Sequence, residues 1–203
     1  MTSENPPETT QQPEPRPASA IVEEFIGHLR SGNIDDAAAL WTGYPELSTD
    51  PTSRAAAVGS LITDHDWLAQ PQSYDLLEAP AADGVNSVVT VVSDMQPSQQ
   101  RLAVAFVVGE AQIQRLPQRT TSTVSPLPGS AVSPGDLVVL SGVPTEGGAV
   151  GYVNGTAVPL EVDHDNLTSS IHISSSVGSE AVVTFSSATP ELPTADAFWY
   201  SVR

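Results

Sequence analysis

The sequence predicts a two-domain chain, an α+β domain in which helices cover a curved antiparallel sheet, followed by an all-β sandwich. Three observations carry this. Apolar residues recur at helical spacing from Ala18 onward, long Val-rich runs replace them after Pro71, and only short extended runs with turn signals follow Pro126. The expected organisation is a Pro/Glu-rich arm over 1–17, an α+β domain over 18–119, a linker over 120–126 and a sandwich over 127–203.

The arm has no aliphatic residue beyond Met1 and so cannot offset the entropy of being ordered. From Ala18, Ile21, Phe25 and Leu29 recur at i, i+4 and i+8, with Val22 and Ile26 widening the stripe, which predicts a first helix closed by Gly32. Asn33 can cap a second helix whose first turn holds Asp35 and Asp36, where the positive end of the helix dipole favours carboxylates, and which runs through Ala37 to Trp41. A third begins near Ser53 and carries Ala55 to Val58, Leu61, Ile62 and Trp67. Strands are expected over 73–78, 85–95 and 101–116, separated by Asp83-Gly84 and Pro97-Ser98. The last two are apolar on both faces, as in Val88, Val89, Val91 and Val92. One face can pack on the helices, and the other must meet a second layer or a cavity.

In the C-terminal part, strands are expected over 137–140, 149–153, 157–162, 169–173, 181–185 and 197–202. Asn154-Gly155 is the strongest turn signal, because a type I′ hairpin turn needs positive φ at both positions. Six or seven strands in about 80 residues indicate a small sandwich. Phe198 and Tyr200 then share one face of the last strand, and Trp199 takes the other, as core, edge or contact residue.

Composition excludes much. The 203 residues include no Cys and no Lys, and seven Arg face 24 carboxylates for a net charge of −17. Thiol nucleophiles, thiolate metal sites, Schiff bases and phosphate-loop lysines are therefore absent from this sequence. Nucleic acid and anionic lipid surfaces are repelled. No apolar run approaches the roughly 20 residues of a membrane-spanning helix. The start lacks the basic and apolar stretches of a signal peptide, so the chain is cytoplasmic or an export or anchor segment lies upstream of Met1.

The stretch AIVEEFIGHLRSGNIDDAAALW at 20–41, with the strands at 73–116, resembles the NTF2-like (cystatin-like cone) superfamily, especially extracytoplasmic versions in actinobacterial envelope proteins. The stretch TVSPLPGSAVSPGDLVVLSGVP at 123–144, with the closing FWYSV, resembles bacterial immunoglobulin-like domains, which are usually spacers or protein-contact modules on the cell exterior. The resemblances imply a lipoprotein-like, extracytoplasmic envelope protein. Its partner is another envelope protein or a cell-wall component.

Candidate chemistry is sparse. Asp64-His65-Asp66 is the most reactive-looking triplet. Some NTF2-like relatives place an Asp or His at the cavity mouth as general base with a Tyr to stabilise the oxyanion, and by that analogy Tyr44 and Tyr74, with Trp41 and Trp67, are pocket candidates. Adjacent helical residues point about 100° apart, so the three cannot converge, and solvated charge is the plainer reading. Asp163-His164-Asp165-Asn166, with His172 further on, has the look of an oxygen-rich cation turn, but it lacks the turn glycine and bidentate Glu of a Ca²⁺ loop, and a plain acidic turn is favoured. His28 reads as a helix-boundary residue. Asn154-Gly155-Thr156 and Asn166-Leu167-Thr168 match the glycosylation sequon. The expectation is a non-enzymatic binding or scaffolding protein without cofactor. The alternatives are an isomerase, dehydratase or hydrolase acting on a small apolar molecule in the cone, and Ca²⁺-dependent adhesion through the Asp163 turn.

Overall fold

A computed structural model describes residues 16–43, 50–70, 72–95, 100–119, 121, 123–142, 147–188 and 193–203. It has the mixed α+β layout with a β-rich C-terminal part that the sequence predicts. Helix α1 (Ala18–Arg30) buries Ile21, Val22, Phe25, Ile26 and Leu29. It ends where Gly32 turns to φ +71°, with the Gly32 N–H donating to Leu29 O at 3.1 Å and the Asn33 N–H to His28 O at 2.9 Å. This pair of bonds satisfies carbonyls the last turn would otherwise leave open, and it needs the left-handed residue a glycine supplies. Helix α2 (Ile34–Ala39) stops two residues short of the expected Trp41, and Asn33 precedes it without a side-chain cap bond. Helix α3 (Pro51–Asp64) starts earlier than expected, because Asp50 accepts hydrogen bonds from Ser53 N (2.9 Å) and Ser53 Oγ (2.6 Å) and Pro51 fits the first turn. It ends before Trp67, which lies in a separate 3-10 turn, Asp66–Ala69.

The helices cover one face of a four-stranded antiparallel sheet, β1 (Tyr74–Pro80), β2 (Ser87–Ser93), β3 (Ala103–Val108) and β4 (Ile113–Arg115), in sequential order. The single strand expected over 101–116 is thus two, folded back where the Gly109 N–H donates to Gln112 O at 2.9 Å.

Among its described residues the C-terminal part has nine strands: β5 (Thr123–Ser125), β6 (Ala131–Val132), β7 (Leu137–Ser141), β8 (Ala149–Val153), β9 (Thr156–Val158), β10 (Leu160–Asp163), β11 (Thr168–His172), β12 (Glu180–Ser187) and β13 (Thr194–Val202). They form two sheets, ordered β10-β11-β7-β5 and β6-β13-β12-β8-β9. β5 falls within the stretch expected to be linker, and it pairs with β7. Asn154 (φ 50°) and Gly155 (φ 76°) make the β8–β9 turn as the dipeptide predicts. The strand expected over 157–162 is broken at Pro159. β9 pairs with β8 and β10 with β11, so the chain changes sheets at a residue with no N–H for a ladder.

Three buried layers result. The first lies between helices and sheet, with Phe25 and Phe106 edge to face at 5.7 Å and Val89, Val91 and Ile113 fully enclosed. The second fills the sandwich with Val138, Leu140, Ile171, Val183, Phe185, Phe198 and Tyr200. The third joins the two parts sheet to sheet. Val88, Ala105 and Val107, on the face of β2 and β3 away from the helices, meet Ala195 and Ala197 of β13, and Val92 meets Val182 and Trp199. The two-faced hydrophobicity of β2 and β3 is met by this second sheet. At its centre the Thr90 and Thr184 hydroxyls share a hydrogen bond of 2.8 Å, and beside it Tyr152 donates to Pro80 O at 2.5 Å and the Ala82 N–H to Ser186 Oγ at 3.2 Å.

Candidate ligand cleft at the junction

Arg101 ties the seam between the two sheets. Its side chain is 13% exposed and donates to Ser93 O at 2.5 Å, to Glu180 Oε2 at 2.9 Å and to an Asp75 carboxylate oxygen. Partial burial disfavours its charge, but hydrogen bonds and attraction from Asp75 and Glu180 more than offset this and hold the guanidinium protonated. Nearby, Asp196 is buried and accepts from the Thr121 N–H at 2.9 Å, anchoring the segment that joins the two parts.

A cleft of about 350 Å³ opens along this seam. It is lined by the start of β3 (Ala103 to Ala105), by the turn after α3 (Asp64 to Trp67), and by β13 from Ala195 to Trp199. Pro117, Gln118 and Arg119 line it from the segment after β4, and Gln100 lines it opposite Pro128 and Gly129. Gly129 has φ +83°, and a Cβ there would lie 2.9 Å from Gln100 Cδ. Glycine therefore permits both the turn and the close approach of Gln100 across the seam.

Asp64, His65 and Asp66 all line this cleft, but not a cone interior, since the layer beneath the helices is filled by the side chains named above. His65 is half-buried, and burial lowers its affinity for a proton below that of a free imidazole, with the Asp64 charge opposing. Asp64 and Asp66 are exposed, and Asp66 accepts from Gln70 Nε2 at 3.3 Å. Tyr74 lies elsewhere, on β1, with the Arg30 guanidinium 4.7 Å from its ring centre, and burial raises its phenol above its ordinary range. Tyr44 falls outside the described residues. Trp41 is buried in the helical layer, whereas Trp67 is buried and lines the cleft. Among the described residues no tyrosine lines the cleft, so the grouping of the triplet with a tyrosine that the enzymatic alternative needs is not found among them.

The other candidates are placed as follows. Asp163 accepts from the Asp165 and Asn166 N–H groups, each at 3.0 Å, and from Asn166 Nδ2 at 2.7 Å. Its carboxylate holds the turn, and these bonds draw it below the ordinary carboxylate range. His164 and Asp165 are exposed beside it. His172 lies 3.8 Å from Glu161 on the exposed face expected for it. Among the described residues no three His, Asp or Glu side chains gather as a metal site. His28 sits between Glu24 (3.8 Å) and Asp36 (3.9 Å) at the end of α1. Asn154 is held on both side-chain atoms, donating to Glu180 O and accepting from the Val182 N–H. Trp199, left open between core and contact, is buried at the junction.

Sequence reasoning missed Arg101, Gln118, Arg119 and Asp196 as cleft residues, because the two strands that bring them together are some ninety positions apart in the chain. A legible signal was the alternation of small residues, Ala103 with Ala105 and Ala195 with Ala197, which marks two strand faces able to approach closely.

No protein-family model matches the chain, and no curated protein matches it. Among solved structures, the crystal structure of CopC from Methylosinus trichosporium OB3b is similar at a TM-score of 0.32 and 15% identity, over 42% of this chain and 93% of that one.

Proposed function

We propose that this chain is a non-enzymatic binding protein of the extracytoplasmic cell envelope, an NTF2-like part and an immunoglobulin-like part joined so that the seam between them forms the ligand seat. One observation carries the reading. The layer under the helices, where a substrate chamber would lie, is packed with Phe25, Phe106, Val89, Val91 and Ile113, while the cleft lies at the seam between two sheets. A cleft of this size with an apolar lining and a few polar groups fits binding. The envelope setting rests on the residues at 20–41 and 123–144 and on their resemblance to exported modules.

The enzymatic alternative draws on a different observation, that His65 lines the cleft with its neutral form favoured by burial. A half-buried neutral imidazole can serve as a base. Against it, the flanking carboxylates are exposed, and among the described residues no tyrosine lines the cleft.

The test is thermal melting of the full chain against purified envelope components, cell-wall fragments and exported proteins, with Gln118→Trp as a variant that crowds the cleft from an exposed rim position. A component that raises the wild-type Tm and fails to raise that of Gln118→Trp supports the reading. Equal stabilisation of both, or turnover of a bound small molecule that His65→Gln abolishes, overturns it.

A further inference from the structure

In the β2–β3 ladder, the Ser93 N–H donates to Leu102 O, and the pairs run Val91 with Val104 and Val89 with Phe106. Hydrogen-bonded pairs alternate in an antiparallel ladder, so Leu102, Val104 and Phe106 bond to β2 while Ala103, Ala105 and Val107 direct their N–H and C=O groups to the opposite edge. β4 takes up Val107 through Arg115 and then stops. The next position able to bond Ala105 is Pro117, which has no N–H, and this ends the strand. Ala103 and Ala105 thus keep an open strand edge, with no backbone or side-chain partner among the described residues. Both line the cleft.

Exposed edges recruit strands, and natural sheets usually block them with charge, bulges or cover. This one is recessed within a lined cleft instead. The charges around it are mostly negative. Among the described residues, Asp64, Asp66 and Asp196 line the cleft, Arg101 is already held by Asp75 and Glu180, and only Arg119 and the neutral-leaning His65 stand on the other side, within a chain of net charge −17. A second copy of the chain would bring the same charge and be repelled. The lining also holds Trp199, whose indole Nε1 is buried with no hydrogen-bond partner among the described residues.

We infer that the cleft binds an extended, basic peptide segment as an added strand on the edge of β3 at Ala103 to Ala105. About three residues, or roughly 10 Å of extended chain, match the length of this edge. Backbone pairing supplies the register, and Lys or Arg side chains meet Asp64 and Asp66. This rests on the proposal that the cleft is the ligand seat and specifies its ligand.

The test titrates the ¹⁵N-labelled full chain with three capped octapeptides: alternating Lys and Thr, alternating Glu and Thr, and the Lys peptide N-methylated at every second residue. The Lys peptide should shift the Ala103 and Ala105 amides and the Trp199 indole signal, bind more weakly as ionic strength rises, and bind at least about tenfold more tightly than the other two. Ala105→Pro removes the outward N–H without touching the β2 ladder and should weaken binding by a similar factor. The N-methylated peptide gives the same information without altering the protein. Equal binding of the N-methylated peptide, equal binding of the Glu peptide, or self-association of the chain through this edge overturns the inference. If no peptide binds while an envelope component still stabilises wild type and not Gln118→Trp, the peptide inference fails and the cleft reading stands. If nothing binds at the cleft, both fail.

Discussion

The Thr90–Thr184 hydrogen bond offers the sharpest probe of how the two parts are joined. Thr90 is 1% and Thr184 3% exposed, their hydroxyls are 2.8 Å apart, and the two residues stand on facing sheets. Thr→Val preserves shape while deleting a hydroxyl. Either single substitution leaves the other hydroxyl buried and unpaired, which costs about 1–3 kcal/mol, whereas the double substitution removes both partners and exchanges two polar groups for two methyls at little cost. Thr90→Val and Thr184→Val should each destabilise by about 1.5 kcal/mol, and the double variant by less than about 1 kcal/mol, a coupling near 2 kcal/mol. For a chain of this length each single should lower Tm by roughly 3–6 °C. Urea unfolding followed by tryptophan fluorescence and far-UV circular dichroism measures all four proteins. Additive losses in the double variant, or two separate transitions in wild type, would refute the claim that the facing sheets share a dry, cooperative interface.

Other consequences can be measured the same way. Phe106→Ala removes one ring of the edge-to-face pair in the helical layer and should cost about 3–5 kcal/mol, read as a lower urea midpoint at unchanged slope. Arg101→Gln should cost about 1–2 kcal/mol, toward the low end because Asp75 is 65% exposed, and the loss should shrink when measured in Glu180→Gln. His65 binds its proton less readily folded than unfolded, so the unfolded chain protonates first as pH falls below the ordinary imidazole value of 6.5. Stability should therefore be lost below that pH and not above it, and the difference between wild type and His65→Gln isolates this term. Millimolar Ca²⁺ should leave the melting temperature unchanged, because the Asp163 oxygens already accept three hydrogen bonds within their own turn; a rise reversed by chelator would contradict this.

Local signals were legible where one residue type decides the geometry. Gly32 closed α1, Asn154-Gly155 made its hairpin, and the period of Ile21, Phe25 and Leu29 fixed the buried face. Errors fell where the deciding partner was distant or the breaker was read too lightly. The strand expected over 157–162 runs through Pro159, which instead separates two strands of different sheets. The turn at Gly109 to Gln112 was masked by the continuous apolar run before it. The candidate site was half legible. Asp64, His65 and Asp66 were singled out and do line the cleft, but the plainer reading made them solvated charge and the alternative placed them at the mouth of a cone, and nothing local says that β13 would supply the facing lining. The apolar second face of β2 and β3 did announce a missing neighbour, and β12 with β13 supply it.

That shared face bears on any attempt to dissect the molecule. A cut between Leu116 and Val124 would leave Val88, Val92, Ala105 and Val107 uncovered on one fragment and Val182, Ala195, Ala197 and Trp199 on the other. Each fragment would carry a bare apolar sheet face, the kind of surface that drives aggregation. Expressed separately, the two pieces should be poorly soluble; co-expressed, each supplies the surface the other lacks.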